Sequence, residues 1–209
     1  MAQRADARRN REALLVAAED VFADEGADAP LEIVARRAGV GRGTLYRHFP
    51  DRQSLAVAVY ERRLAGLEQL AVQHRDDPDL LEQLVLGVAD RQTRVPGLVA
   101  VLLGTTEGTA ALDRITERTR RIVAGPLAQA RARGELRQDA TDDDLMLLFA
   151  MVDGLVRGLP PGQAADTVRR GCRLVLDGMR PGRAPSSERG RAREARHGTE
   201  VTGPRTQGA

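Results

Sequence analysis

The spacing of the apolar residues is the feature that most restricts the fold of this 209-residue chain. Apolar residues recur at intervals of three and four, and almost no stretch alternates apolar and polar residues as a half-buried strand does. Leu14, Ala18, Val21 and Phe22, for example, share one face of a first helix. We therefore predict an all-α fold. The first helix is predicted to end at Gly26, the second to run from Pro30 to about Ala38, and the third from Arg42 to about His48. A fourth follows an N-cap at Asp51 and continues to about Val72. Five more are predicted at about 78–93, 96–104, 107–133, 142–158 and 164–179.

Two short helices near the N-terminus are separated by Ala38-Gly39-Val40-Gly41, which is too short for anything but a tight turn. Gly39 can adopt the positive φ that such a turn requires. A first helix supports this pair and a fourth follows it. This order predicts a helix-turn-helix unit.

The third helix, Arg42-Gly43-Thr44-Leu45-Tyr46-Arg47-His48, has the composition of a helix that contacts DNA. Leu45 and Phe49, four residues apart, are expected to anchor it, which leaves a surface rich in hydrogen-bond donors for a major groove. Five arginines and one acid lie between Arg36 and Arg52, and the N-terminal arm is also basic. The predicted DNA-binding residues are Arg42, Gly43, Thr44, Tyr46, Arg47, His48, Arg52, Arg8 and Arg9.

Residue types exclude several kinds of chemistry. All 32 basic residues are arginine, so a P-loop or a Schiff-base lysine is impossible. The single cysteine, Cys172, cannot form an intramolecular disulfide, and the three histidines lack zinc-ligand spacing. Asp142-Asp143-Asp144 could suggest a metal site, but acidic residues at a helix start are better explained by capping. With no nucleophile and base pattern visible, we predict no enzyme activity, no metal and no cofactor.

The chain shows no signal of export or membrane insertion. Its N-terminal segment is charged, and its longest apolar run, Leu145 to Val152, is too short to cross a membrane. We expect a cytoplasmic protein with no membrane partner.

Composition also divides the chain. Four of the five aromatic residues occur in the first 60 positions, which indicates two regions with different packing. Residues 181–209 are rich in Gly, Pro, Ser and Arg, and Val201 is their one large aliphatic residue. We predict a DNA-binding domain over 1–62, a second helical domain over 63–180 and a disordered Arg-rich tail over 181–209.

The N-terminal motifs, in order and spacing, resemble those of the TetR family of bacterial transcriptional regulators. The matching elements are Arg11, Ala18, Phe22, Gly26, Val34-Ala35, Ala38-Gly39-Val40, Gly43-Thr44-Leu45-Tyr46, His48-Phe49 and Arg52-Gln53-Ser54-Leu55. Three positions depart from the family pattern. Ala29-Pro30 stands where a Ser or Thr opens the second helix, Gly41 replaces a Ser that could contact phosphate, and Arg52 replaces a Lys.

The resemblance implies a homodimeric repressor that leaves a palindromic operator in double-stranded DNA when an unknown small-molecule effector binds the C-terminal half. It also implies that the last two helices form the dimer. The helix over 142–158 is apolar on nearly every side, which independently indicates cover from a second subunit. Candidate interface residues are Leu145, Leu148, Val152, Val156, Val168, Cys172, Val175 and Met179. Candidates for the effector pocket are Leu102, Leu103, Thr106, Met146 and Phe149, each of which could equally be core.

Two alternatives remain open at this point. Cys172 could be a redox sensor, although its place in an apolar stripe favours a small buried hydrophobic residue. The arginines of the tail could make the chain an architectural DNA binder without sequence preference. A regulator would prefer one short palindrome over random DNA by about 10³ or more, whereas an architectural binder would not.

Overall fold

A computed structural model describes residues 2–160 and 163–182, and the predicted tail therefore lies almost entirely outside the described residues. Within these ranges the chain forms nine α-helices and no strand, as the apolar spacing predicted. The helices are α1 (Ala2–Glu25), α2 (Leu31–Arg37), α3 (Arg42–His48), α4 (Arg52–Gln73), α5 (Leu80–Arg94), α6 (Leu98–Leu103), α7 (Thr106–Ala132), α8 (Asp142–Gly158) and α9 (Ala164–Gly178).

The first three helices pack around a small core that fixes the orientation of α3. Leu14, Val21 and Phe22 of α1 are fully buried, and Leu45 of α3 packs among them with Phe49 just beyond the helix end. The predicted anchoring role of Leu45 and Phe49 agrees with this burial. Because α3 buries a single side chain, the rest of its surface remains available.

The turn between α2 and α3 has the geometry that its glycine suggested. Gly39 adopts φ +69°, and its N–H donates to the carbonyl of Arg36 at 3.1 Å. The next residue, Val40, donates to the carbonyl of Ala35 at 3.0 Å. These two bonds satisfy the last carbonyls of α2 and reverse the chain within a few residues.

Helix α4 belongs to both halves of the chain. Asp51 is its N-cap, as predicted, and the Asp51 carboxylate accepts a hydrogen bond from the Ser54 N–H at 2.7 Å in a capping box. Its first turns pack Leu55 on the N-terminal core, and later turns pack Leu67 toward α5. The predicted domain division at 62/63 falls inside this continuous helix, so no linker separates the two packing regions among the described residues.

Helices α5, α7, α8 and α9 enclose a second core, and side-chain caps open α7 and α8. Thr141 caps α8 in a capping box with Asp144, and Arg120 pairs with Asp142 at 2.8 Å and with Asp143 at 2.6 Å. The three aspartates thus serve capping and ion pairing. In the described part of the chain, no group of three or more His, Cys, Asp or Glu side chains could hold a metal ion. None of the described helices is long and apolar enough to cross a membrane.

The predicted interface residues require a correction. Val175 is partly buried, and the other seven are buried within the chain's own second core: Leu145, Leu148, Val152, Val156, Val168, Cys172 and Met179. These side chains are already covered by α5, α7 and each other, so they are not free to contact a second subunit. The predicted residues therefore lie on the inner side of these helices, because an apolar helix has an inner and an outer side that sequence alone does not distinguish.

Candidate nucleic-acid interface and internal cavity

The surface of α3 opposite Leu45 is polar and open to solvent. Arg42, Gly43 and Arg47 are exposed, and Thr44, Tyr46 and His48 are partly exposed. The side chain of Arg42 is 71% exposed. All six predicted α3 residues thus keep part of their surface open to solvent, which DNA contact requires.

A glutamate of α2 holds two of these side chains, and sequence reasoning missed it. Glu32 Oε1 lies 3.2 Å from Arg42 Nη2 and accepts a hydrogen bond from the Tyr46 hydroxyl at 3.2 Å. The Arg42 guanidinium also lies over the Tyr46 ring, 5.4 Å from its centroid. A hydrogen bond from its own backbone N–H, with further help from Tyr46 and Arg42, lowers the pKa of Glu32. Glu32 therefore stays ionised and orients the two side chains.

The other predicted DNA-binding arginines differ in how far contacts within the chain already hold their side chains. The Arg52 guanidinium donates to the carbonyl of Ala27, which ties the start of α4 to the loop before α2. Arg47 Nε donates to the carbonyl of Gly43 at 3.0 Å. Arg8 and Arg9 are exposed near the start of α1, where Arg9 pairs with Asp6. Arg52 thus has a structural role in addition to its charge.

A cavity of about 380 Å³ lies among α4, α5, α6, α7 and α8. Of the five candidate pocket residues, Leu103, Met146 and Phe149 line it. Leu102 does not, because it is fully buried in the first core, and Thr106 is exposed at the start of α7. Lining residues that sequence reasoning missed include Tyr60, Leu64, Leu67, Val88, Val99, Leu112, Ile115, Thr116, Thr119 and Ala150. They come from five helices, which no local motif could connect.

Several polar groups interrupt the apolar wall of the cavity. Gln92 Nε2 donates to the carbonyl of Phe149 at 3.1 Å, while its Oε1 is buried without a hydrogen-bond partner among the described residues. Burial, and secondarily the carboxylate of Asp153, raises the pKa of Tyr60 and keeps its phenol neutral. Burial also raises the pKa of Asp153, which pairs with Arg157 at 3.1 Å. An unsatisfied buried amide oxygen is costly, so Gln92 could accept a hydrogen bond from a ligand.

A second uncovered surface lies on the outside of α8 and α9. Leu147, Met151 and Leu155 follow one another at intervals of four along α8, and their exposed fractions are 61%, 57% and 40%. Leu174 of α9 is 64% exposed. Large apolar side chains in a row along one exposed face, as on α8, are unusual on a surface that stays in water. We refer to these four residues as the outer apolar face.

Helix α3 is exposed, carries arginines and follows the glycine turn; α1 supports it, and α4 continues from it into the rest of the helices. This arrangement defines a helix-turn-helix DNA-binding protein. The family model described as "Bacterial regulatory proteins, tetR family" matches residues 14–59. The chain belongs to the TetR family of bacterial regulators, and it is accordingly a DNA-binding transcriptional regulator and not an enzyme.

Similarity to individual proteins extends over most of the chain. A solved TetR transcription regulatory protein from Mycobacterium vanbaalenii shares 33% identity, with 85% of this chain and 99% of that chain covered and a TM-score of 0.58. A TetR transcriptional regulator from Streptomyces coelicolor shares 31% identity, with 82% and 99% covered and a TM-score of 0.51. The HTH-type transcriptional repressor BepR of Brucella suis biovar 1 (strain 1330) is 29% identical over 88% of this chain and 97% of its own length.

Proposed function

We propose that this regulator is a repressor that binds a palindromic operator as a homodimer and leaves it when a small molecule occupies the internal cavity. The observation that carries the proposal is the cavity of about 380 Å³ beside α4, the helix that continues from the DNA-binding unit. The volume of this cavity is within the range of small-molecule sites. The repressor named among its relatives supports the direction of regulation.

In this proposal, α3 enters the major groove. Arg42 can pair with a guanine, and Thr44 and Tyr46 can reach a thymine methyl group or a phosphate. The exposed Gly43 lets the backbone approach the DNA closely, while Arg47 and His48 flank the groove. Arg8 and Arg9 add charge from α1, and Arg52 adds charge at the start of α4.

Two copies of the chain are proposed to meet through the outer apolar face. Its members are Leu147, Met151, Leu155 and Leu174, on the two last helices. A two-fold dimer built from α8 and α9 would form a four-helix interface. For binding to one face of B-DNA, the two α3 helices must then lie about 34–36 Å apart, which requires a palindromic site.

Release by the effector requires a mechanical link between the cavity and α3. Helix α4 provides it, because Tyr60, Leu64 and Leu67 line the cavity while Leu55 packs in the N-terminal core. A ligand that tilts α4 would change the distance between the two α3 helices. A 100-fold release needs a preference of about 2.7 kcal/mol for the state that cannot bind DNA, within the usual range of coupling energies.

Selection of bound sequences from random DNA tests the operator part of the proposal. We expect enrichment of one pseudo-palindrome, bound at least about 10³-fold more tightly than random DNA. Arg42→Ala should relax the preference at one base position and cost about 1–3 kcal/mol, and Thr44→Ala should also weaken binding. Arg121→Ala, which removes an exposed arginine from α7, serves as the control. Equal affinity for all sequences would instead indicate an architectural DNA binder.

A screen for compounds that release the protein from the selected operator tests the effector part. Thr116→Phe places a larger side chain at the cavity wall, so this variant should keep operator affinity and lose the response to any compound found. Thr109→Phe, at an exposed position of the same helix outside this cavity, is the matched control. Release that persists unchanged in Thr116→Phe would locate the effector elsewhere.

A further inference from the structure

The cavity has a basic side where α4 and α5 meet. Three arginines and one aspartate contribute to its lining, and Asp153 already pairs with Arg157 on the α8 side. The remaining two arginines, Arg63 and Arg91, lie on the α4 and α5 side. The two sides of the cavity therefore differ in charge.

Arg91 has no carboxylate within ion-pair distance among the described residues. Its Nη1 donates to the backbone carbonyl of Gly87 at 2.8 Å, a helical neighbour that carries no charge. Burial, followed by the nearby charge of Arg63, lowers the pKa of Arg91, and the carboxylates of Asp90 and Glu19 offset this only in part. A half-buried guanidinium beside a second guanidinium is unfavourable unless an anion is bound, because its charge has lost part of its hydration.

Arg63 connects this cavity to the DNA-binding unit. Its side chain is only 9% exposed, and its Nε lies 3.3 Å from Glu19 Oε1 on α1. Its Nη1 donates to the backbone carbonyl of Arg91 at 3.0 Å, near the end of α5. The Arg63 guanidinium thus joins α1 to α5, and the same residue also lines the cavity.

We propose that the effector is an amphipathic anion whose acidic group binds Arg91 and Arg63, and that it signals to α1 by competing with Glu19 for Arg63. This inference rests on the proposed function of the cavity. The apolar body of the ligand would contact residues such as Leu112, Met146 and Phe149 on the opposite wall.

The physical basis is the planar, forked guanidinium, which binds a carboxylate through two parallel hydrogen bonds. Two guanidinium groups with one carboxylate partner, Glu19, leave room for a second acidic group. A ligand anion that binds there withdraws hydrogen bonds from Glu19, because Arg63 has a fixed number of donors. The tie between α1 and α4 weakens as a result, and α1 carries the core on which α3 rests.

Titration calorimetry on the full chain tests the ligand class. The probes are decanoate, decan-1-ol and decyltrimethylammonium, which share one tail and differ in the charge of the head group. We expect decanoate to bind at least about 10-fold more tightly than the alcohol, as one charge-assisted contact implies, and the cation to bind most weakly. Equal binding of the three probes, or no binding of decanoate, would overturn the proposal.

Variants locate the head group. Arg91→Gln should reduce decanoate affinity about 10-fold and leave decan-1-ol unaffected. Arg94→Gln, which removes an arginine that is 72% exposed on the same helix, should change neither affinity. If both variants behave alike, the acidic group does not bind Arg91, and the assignment fails.

The competition is tested on α1. Glu19 and Glu12 both pair with Arg62, at 2.8 and 2.7 Å, but only Glu19 also contacts Arg63 among the described ion pairs. Glu19→Gln should therefore raise decanoate affinity several-fold, whereas Glu12→Gln should not. Circular dichroism melting confirms that both variants are folded. Unchanged affinity in Glu19→Gln would refute the competition.

The binding measurements use protein without DNA, and the operator-release assay with the same probes is run separately, so the two together separate two failures. If decanoate binds with the expected dependence on Arg91 and Glu19 but never releases operator DNA, the link to α1 is refuted and the proposed effector response fails with it. If a neutral compound releases the operator through the cavity while decanoate does not bind, the anion is refuted and the proposed function stands.

Discussion

Adjacent residues of α8 give the sharpest test of how this chain assembles. Met151 is 57% exposed on the outer apolar face, whereas Val152 is 3% exposed in the second core. We expect Met151→Arg to yield folded monomers and Val152→Arg to yield unfolded protein. The two substitutions add the same group one position apart, so any difference between them reports which side of the helix meets a partner.

The expected size of each effect follows from burial. Covering a fully exposed Met side chain is worth about 1.5–3 kcal/mol, so covering the exposed part of Met151 is worth about 1–1.7 kcal/mol. A two-fold dimer contains two copies, which makes about 2–3 kcal/mol, or a dissociation constant weakened about 30–150-fold. Arginine adds repulsion between the two subunits. At Val152 the charge would be buried without a partner, at a cost comparable to the whole stability of a domain.

Sedimentation velocity over a range of protein concentrations measures the dimer, and circular dichroism melting measures folding. Binding to the selected operator should fall in Met151→Arg although α3 is unchanged, because a monomer contacts one half-site. A Met151→Arg protein that remains dimeric and binds the operator like wild type would refute the placement of the interface on this face.

Three further outcomes are expected. Operator affinity should fall steeply with salt, and the logarithm of the binding constant should change with the logarithm of the salt concentration by about −0.9 per phosphate neutralised. Deletion of residues 181–209 should weaken binding to operator and random DNA equally. A loss of affinity for the operator alone would place the tail at the DNA site. Gly108→Ala should destabilise the fold by about 2 kcal/mol or more in urea unfolding, because the added Cβ would collide with the carbonyl oxygen of Leu102. Gly171→Ala, where the added Cβ enters open space within α9, should instead stabilise the fold by about 0.5–1 kcal/mol. Glu68→Gln should cost at most about 1 kcal/mol at pH 7, and the cost should shrink as the pH falls below the unfolded pKa of the carboxyl. The reason is that a hydrogen bond from the Arg118 guanidinium lowers the pKa of Glu68, so its stabilisation is present above the unfolded pKa and disappears as the pH falls through the folded value. A loss that does not change with pH would exclude this cause.

Local sequence determined the helices and the DNA-binding unit. The Asp51 cap, the Gly39 turn and the spacing of Leu45 and Phe49 are short-range signals, because capping, positive φ and helical faces depend on residues within a few positions of one another. The helix predicted over Arg42 to His48 is α3 in the structure, and its polar residues lie on its surface. The same signals could not reveal Glu32, whose contact with Arg42 depends on the crossing of two helices.

Tertiary packing decided everything that joins distant parts of the chain. An apolar helix such as α8 has two sides, and its neighbours alone determine that Val152 points inward and Met151 outward. The cavity joins five helices, and the contact of Arg63 with Glu19 spans more than 40 positions. Side chains so far apart meet only after the core has formed, because burial of apolar surface is non-directional and fixes no particular partner in advance.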